Sequence, residues 1–454
     1  MRTFDVVVIG AGPGGEVAAG RLAEAGLDVA IVEADKVGGE CSYYACIPSK
    51  ALLRPGALLA EAQRTAGVAG AVTGPLDVPA VLRHRDELIG GLDDAGQLPW
   101  LESRGVHLIR GRGRLAGDRR VAVGDEIIEV RRAVILAGGS SAAIPDIDGL
   151  AGARPWTNRE VTTAGEVPES LIVIGAGVVG VEMSQAWQSL GSRVTLIASA
   201  SGLLPREEDF AGQQVGDALR ARGVDVRQGQ RAVRVQRDDD GRVTVTLEGG
   251  DTVTAAEVLV AAGRRPNSAD LGLETSGFVK VDERMRVPGS DWLYAIGDLN
   301  GRALFTHMAK YQALVAAADV LGTPIAAEHP ADGPGAPRVI FTDPQVAAAG
   351  HTTATAAAAG LRVRAVDVPT DGNAGGSFTG GSGGTARFLV DEDRGVLAGF
   401  TVTGAEVADF LHAATIAIVG EVPLSRLRHA VPAFPTRSEL WLGLFAELDR
   451  TATS

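Results

Sequence analysis

Residues 5–35 read DVVVIGAGPGGEVAAGRLAEAGLDVAIVEAD. A short apolar run, G-x-G-x-x-G, a stretch with helical periodicity and a second apolar run follow one another in about 30 residues. That order predicts a strand–turn–helix–strand unit built to hold a dinucleotide. Each glycine has a separate task. Gly10 permits the tight turn, Gly12 lets a pyrophosphate approach the backbone, and Gly15 lets helix pack on strand. Gly14 adds a further small residue at the helix start, whose free N–H groups and dipole attract phosphate. Glu33 follows Gly10 by 23 residues, the place of a carboxylate that accepts hydrogen bonds from a ribose.

The design recurs. Residues 171–199 read LIVIGAGVVGVEMSQAWQSLGSRVTLIAS, with Gly175, Gly177 and Gly180 in the same frame. Here the position matching Glu33 is Ala198, followed by Ser199 and Ser201, and the next basic side chain is Arg206. A carboxylate would repel a 2′-phosphate and an arginine would recruit one. With neither at the strand end, NADH and NADPH both fit, and NADPH is slightly favoured because nothing obvious rejects it. Further strand-plus-glycine patches occur at 133–145 (AVILAGGSSAAIP, with Gly139), 258–267 (VLVAAGRRPN, with Gly263) and 292–301 (WLYAIGDLNG, with Asp298). After Arg338 the texture changes to an α+β unit, interrupted by the Gly-rich segment 371–384, which reads as a mobile surface loop.

Composition sets the outer limits. The chain has 454 residues, roughly three domains at about 150 residues each. The 60 glycines lack a G-X-Y period, which excludes collagen. A net charge of −13 argues against nucleic acid or an anionic membrane as the main partner. No apolar stretch is long enough for a transmembrane helix, and the N-terminus carries no targeting signal, so the expected location is cytoplasmic. Two cysteines exclude a disulfide scaffold and a cysteine-rich metal site, and no metal is expected.

Those cysteines lie in GGECSYYACIPSK, residues 38–50, as Cys41 and Cys46, just behind the first dinucleotide unit. On an ideal helix, positions five apart have Cα atoms about 8–9 Å apart. A disulfide wants less than about 7 Å. A bridge would therefore distort the helix start and be labile. Lys50 stands out because the chain has only four lysines, Lys36, Lys50, Lys280 and Lys310, among 43 basic residues. A compact charge with a tunable pKa suits a reactive thiol site.

GAGPGG, Glu33, GGECSYYACIPSK, GAGVVGVE, AIGD and FTDP together resemble the flavoprotein disulfide reductases, the family of dihydrolipoamide dehydrogenase, glutathione reductase, mycothione reductase and mercuric reductase. The resemblance spans essentially the whole chain. It implies an α/β fold with two Rossmann-like domains, for FAD and NAD(P), and a C-terminal α+β dimerisation domain. The boundaries would be 1–150 (FAD), 151–270 (NAD(P)H), 271–335 (a central domain completing the FAD site) and 336–454 (dimerisation). By motif, Gly10, Gly12, Gly14, Gly15, Glu33, Gly39, Lys50, Gly139 and Asp298 would hold FAD, and Gly175, Gly177, Gly180, Ser199 and Gly263 the nicotinamide dinucleotide. Cys46 would be the charge-transfer thiolate beside the flavin and Cys41 the interchange thiol. Lys50 would pair with Glu182, the residue after GAGVVGV. The active site would be shared between the subunits of a homodimer.

The chain departs from the family in three places. The usual ending, His-Pro-Thr-x-Ser-Glu, reads Phe434-Pro435-Thr436-Arg437-Ser438-Glu439. A phenyl ring cannot shuttle a proton, and loss of a general base typically costs about 10²–10⁴ in steps that need it. Glu439 loses its usual partner, and His429 could substitute only with a rearranged backbone. Tyr43 and Tyr44 occupy the cysteine loop, either packing or supplying a phenol hydrogen bond. Gly138 stands where the family has Thr. The C-terminus also lacks the extra Cys or selenocysteine of mercuric reductase-like enzymes and larger thioredoxin reductases. The expected activity is electron transfer from NAD(P)H through FAD to the disulfide, and on to a disulfide or other small-molecule acceptor. Three alternatives stay open: transfer directly from flavin to a quinone-type acceptor, dithiol oxidation in a biosynthetic pathway, or a non-catalytic redox-sensing role.

Overall fold

The computed structural model describes every residue except 1, 275–276, 328–331, 334, 379–382 and 453–454. These residues form two compact units, each discontinuous in sequence. One comprises residues 1–48, 85–143 and 264–333, and the other 49–84, 144–263 and 334–454.

The first unit is organised by the opening motif. Arg2–Ile9 pairs in parallel with Val29–Glu33 on one side and with Glu126–Leu136 on the other. His107–Arg110 extends the sheet beyond Val29–Glu33, and Leu293–Ala295 joins Glu126–Leu136, both in parallel. Arg120–Val123 and Gly113–Leu115 finish it as an antiparallel edge. Val6, Val7 and Val8 are all buried, because helices cover one face and further strands the other. A continuous apolar run, rather than an alternating one, is what a strand buried on both faces requires.

The second unit repeats the pattern. Asp225–Gln228, Arg193–Ala198, Ser170–Ile174 and Glu257–Val260 form a four-stranded parallel sheet. An antiparallel three-stranded sheet, Ala232–Arg237, Val243–Leu247 and Thr252–Ala255, accompanies it. The C-terminal part is a five-stranded antiparallel sheet in the order Arg338–Ile340, Gln345–Gly350, Val396–Gly404, Thr385–Asp391, Val363–Pro369. The Val407–Val419 and Leu440–Ala452 helices belong to the same core, where Phe388, Phe400 and Trp441 meet with centroids 4.8–6.0 Å apart. This is the α+β texture expected after Arg338.

The Gly-rich segment, expected to be a mobile loop, contains a short helical turn and closely packed glycines among its described residues. Residues 379–382 lie outside the described residues, but Ala374–Ser377 is a helical turn capped by Asn373, whose Oδ1 accepts from Gly376 N at 2.8 Å. A Cβ on Gly375 would stand 2.1 Å from the backbone carbon of Thr436, and one on Gly384 2.1 Å from Thr403 O. These glycines serve close backbone approach rather than freedom, a purpose that composition cannot distinguish from flexibility.

Candidate active site

The phosphate turn is built as its sequence predicts. Gly10 has φ +107°, and a Cβ there would meet Ala137 O at 2.4 Å. A Cβ on Gly15 would lie 1.9 Å from Gly10 O, so helix and strand touch only because both residues are glycine. Gly14 packs on Ala309 of the Thr306–Val320 helix. Gly12 is different: it caps the Pro13–Glu24 helix without a side-chain hydrogen bond, and a Cβ there would meet nothing within 4 Å. An uncapped helix N-terminus facing open space fits a pyrophosphate. Glu33 accepts from Ala11 N at 2.6 Å and from Asp35 N at 2.7 Å. A carboxylate has about four acceptor positions, so it braces the turn and keeps capacity for ribose hydroxyls.

Asp298, in the Gly297–Asn300 turn, accepts from Ser140 Oγ at 2.6 Å. Burial pushes its carboxyl upward, opposed by that hydrogen bond and by Arg264. Arg264 Nε in turn donates to Ser140 Oγ at 2.8 Å. Gly139, with φ +67°, is open, and its carbonyl accepts from Asn267 N. Gly138 leaves space as well, with Asn267 O 3.5 Å from an added Cβ.

The second turn copies the first. A Cβ on Gly175 would lie 2.4 Å from Ala261 O and one on Gly180 1.9 Å from Gly175 O, while Gly177, the uncapped N-cap of the Val178–Ser189 helix, is open. Gly263, with φ +140°, is open as well. The Arg193–Ala198 strand ends beside an exposed Ser199. The neighbouring acids are engaged elsewhere, Glu207 with Arg338 and Glu208 with Thr353 and Arg387.

The cysteine loop corrects the single-helix geometry. Gly39–Tyr43 is a short helix that ends at Tyr44, whose φ is −133°, and a second helix, Cys46–Arg64, begins at the other cysteine. The break lets the two thiols meet in a hydrogen bond, which a continuous helix would prevent. Gly39 ties the loop to the phosphate turn, since a Cβ there would stand 2.8 Å from Gly12 Cα. Cys46 Sγ is 3.3 Å from Thr306 Oγ1, at the first residue of the Thr306–Val320 helix. The hydrogen bond with Cys46, then burial, push the Cys41 thiol well above its ordinary range, while Thr306 and Lys310 pull it down. Cys46 faces a hydroxyl and a helix N-terminus, a setting suited to a thiolate. No disulfide joins the two cysteines in this structure. Tyr43 packs, 3% exposed, with Lys36 Nζ 5.8 Å from its ring centroid, and burial moves its phenol up to about 12.

Lys50 Nζ donates to Glu182 Oε2 at 2.7 Å, and Glu182 is 2% exposed. Glu182 Oε1 accepts from Phe341 N at 2.9 Å, and Lys50 Nζ lies 4.8 Å from the Phe341 centroid. The FTDP segment thus braces this ion pair. At the C-terminal frame, Phe434 is 76% exposed and His429 is exposed. Glu439 Oε2 is buried without a hydrogen-bond partner among the described residues, as are Nε and Nη1 of Arg437.

A family model for the pyridine nucleotide-disulphide oxidoreductases matches residues 4–314, and one for their dimerisation domain matches residues 336–443. The chain belongs to this family. It is an FAD-dependent pyridine nucleotide-disulphide oxidoreductase with a dimerisation domain. Dihydrolipoyl dehydrogenase of Thermus scotoductus is 33% identical, the match covering 97% of this chain and 96% of the relative. That of Haloferax volcanii is 32% identical, covering 96% and 94%. The HOCl-induced flavoprotein disulfide reductase RclA from Escherichia coli superposes with a TM-score of 0.84 at 22% identity, over 97% of this chain and 99% of that one. LpdA from Mycobacterium tuberculosis does so at 0.84 and 24%, over 99% and 100%. At those identities the structural likeness speaks for the fold alone. Among the described residues no helix is long and apolar enough to cross a membrane, and no group of three or more His, Cys, Asp or Glu is placed to hold a metal.

Sequence reasoning missed Thr306, Lys310, Ser140, Arg264 and Glu16. Thr306 lies 260 residues from Cys46, with no local signal. Ser140 and Arg264 sit inside the glycine patches already singled out. Glu16 had a signal, a carboxylate in an otherwise small and apolar helix start.

Proposed function

We propose that this chain is a homodimeric NAD(P)H oxidoreductase that passes two electrons to a Cys41–Cys46 disulfide and then to a small-molecule acceptor outside the usual lipoyl and glutathione types. The observation that carries this reading is the hydrogen-bonded thiol pair beside Thr306, in a chain whose proton-shuttling histidine position is Phe434. When bound, FAD supplies the two-electron relay between nicotinamide and cysteines. Gly12 and the Pro13–Glu24 helix N-terminus would hold its pyrophosphate, Glu33 a ribose, and Asp298, positioned by Ser140, a hydroxyl of the linking chain. Gly14, Gly15 and Gly39 let the elements around that space pack closely, and Gly139 leaves room beside it. Gly175, Gly177, Gly180, Ser199 and Gly263 serve the second dinucleotide. NADPH is the favoured donor, since the strand end offers Ala198 in place of a carboxylate.

The thiol chemistry balances as NAD(P)H plus the disulfide giving NAD(P)⁺, the Cys46 thiolate and the Cys41 thiol, with no further proton taken up. Cys46 keeps the thiolate, Thr306 hydrogen-bonds its sulfur, and Glu182 holds the Lys50 ammonium in place. Cys41, still carrying its proton, is the outer thiol. Its attack on an external acceptor needs a base that Phe434 cannot be. Either the acceptor brings its own acid and base, or electrons leave by another route. Glu439, the orienting residue of the motif, has no imidazole to orient within its own frame.

Anaerobic titration of the holoenzyme with NADPH and with NADH tests this. The expected result is a two-electron state with a long-wavelength thiolate–flavin band, absent in Cys46→Ser. Bleaching without that band refutes the disulfide relay and supports direct transfer from flavin to a quinone-type acceptor. No reduction by either nucleotide supports a redox-sensing role. Phe434→His should raise lipoamide or glutathione disulfide turnover at least tenfold. An unchanged rate refutes the missing base as the limit on those substrates.

A further inference from the structure

Three of the chain's four lysines lie in or facing the cysteine loop region. In sequence, Lys36 precedes Cys41 by five residues and Lys50 follows Cys46 by four. Lys310 comes from far along the chain. It sits on the Thr306–Val320 helix four residues after Thr306, the residue whose hydroxyl is 3.3 Å from Cys46 Sγ. Residues four apart on a helix share a face, about 6 Å from one another. Lys310 therefore follows Thr306 along the face that meets the thiol pair. Between them Ala309 packs on Gly14, fixing the helix against the phosphate turn. The Lys310 side chain is exposed, so its four-carbon arm is free to swing toward an outer thiol.

We propose that Lys310 is the positioning cation that stabilises the Cys41 thiolate, in place of the imidazolium that Phe434 removes. The inference rests on the redox-pair reading above. The groups facing Cys41 support it from each packed element. Cys46 donates no positive charge and disfavours ionisation of Cys41, Thr306 offers a neutral hydrogen bond, and Lys310 supplies the attraction that favours it. On the Pro13–Glu24 helix, Glu16 is a carboxyl that Lys310 also attracts, so the acid and the outer thiol share this cation. Glu40, beside Cys41 in sequence, is drawn to Arg264 at 3.7 Å. Lys36 lies against the Tyr43 ring. Lys310 carries no ion pair of 4 Å or less among the described residues, although the Glu16 carboxylate draws on its charge from further away. The step assisted is loss of the Cys41 proton to water, leaving a thiolate whose charge the ammonium balances.

The test uses holoenzyme brought anaerobically to its two-electron reduced state, with the iodoacetamide alkylation rate of Cys41 followed from pH 5 to 10 by peptide mapping. Lys310→Met should slow alkylation at pH 7 about 3- to 10-fold and move the midpoint of the rate profile upward. Lys310→Arg, which keeps the charge, should stay within about twofold of the unaltered enzyme. Raising the salt from 0.05 to 0.5 M should shrink the difference, because an exposed cation is screened. A Lys310→Met profile that overlays the unaltered one, with Cys41 still reactive, overturns the inference and leaves the redox-pair reading standing. A Cys41 that does not alkylate in the reduced enzyme overturns both.

Discussion

Glu16 is a carboxyl placed where the fold does not want a charge. It stands in the first turn of the Pro13–Glu24 helix, and burial pushes it from an ordinary 4.5 up to about 7, with Lys310 pulling it down and Glu33 pushing it further up. The perturbation is Glu16→Gln, which keeps shape and removes the titration. In the folded protein the carboxyl binds its proton more tightly than in the unfolded chain. Its contribution to stability is therefore whole below about pH 4.5, falls as pH rises, and is lost once pH passes through about 7. At about 1.4 kcal/mol per pH unit the loss is about 3 kcal/mol. The remaining exposure of the side chain trims it to about 2–3 kcal/mol.

The assay is urea unfolding of FAD-free protein at pH 4.5, 6, 7 and 8, comparing midpoints of the two proteins. The Gln variant should match the natural chain at pH 4.5 and exceed it by about 2–3 kcal/mol at pH 8. Other titrating groups cancel in the difference, since they are common to both. A difference that stays flat across this range refutes the buried-carboxyl argument. Lys310→Met should steepen the natural chain's loss, because it removes the charge that holds Glu16 down.

Two further outcomes check the site. Gly12→Ala should fold, because its φ of −73° suits any residue and a Cβ meets nothing within 4 Å, yet it should weaken FAD retention at least tenfold by filling the open space; Gly15→Ala, whose Cβ would lie 1.9 Å from Gly10 O, should fail to accumulate as folded protein. Ultrafiltration with flavin absorbance reads the first, and a Gly12→Ala protein that keeps FAD as tightly as the natural chain refutes the phosphate-turn assignment. Lys50→Met should cost about 2–4 kcal/mol in urea unfolding, since it leaves the 2%-exposed Glu182 with the Phe341 N–H alone; adding Glu182→Gln should recover part of that, and additive losses would deny the coupling.

The Lys50–Glu182 pair, 132 residues apart, was expected only from the family resemblance, while both dinucleotide units and the C-terminal α+β unit were legible from local pattern. Their information is short-range. A G-x-G-x-x-G turn is a run of backbone demands that only glycine meets, so Gly10, Gly15, Gly175 and Gly180 announce themselves wherever they stand between strand and helix. Within 371–384, by contrast, Gly375 and Gly384 are packed against Thr436 and Thr403. Glycine marks both closeness and freedom, and only neighbours distinguish them.

The sequence by itself determined the family, the two nucleotide turns, the cysteine pair and the missing histidine, because each is written within a few tens of residues. Tertiary structure decided how those parts work. It broke the cysteine helix between Tyr43 and Cys46 so that the thiols meet, brought Thr306 to Cys46 across 260 residues, and braced Asp298 with Ser140 and Arg264. It also gave Glu16 its raised pKa, since the cost of charge is set by the water that packing removes and by charges such as Lys310 and Glu33 arriving from other elements. Those terms depend on distance and burial, which no spacing along the chain contains.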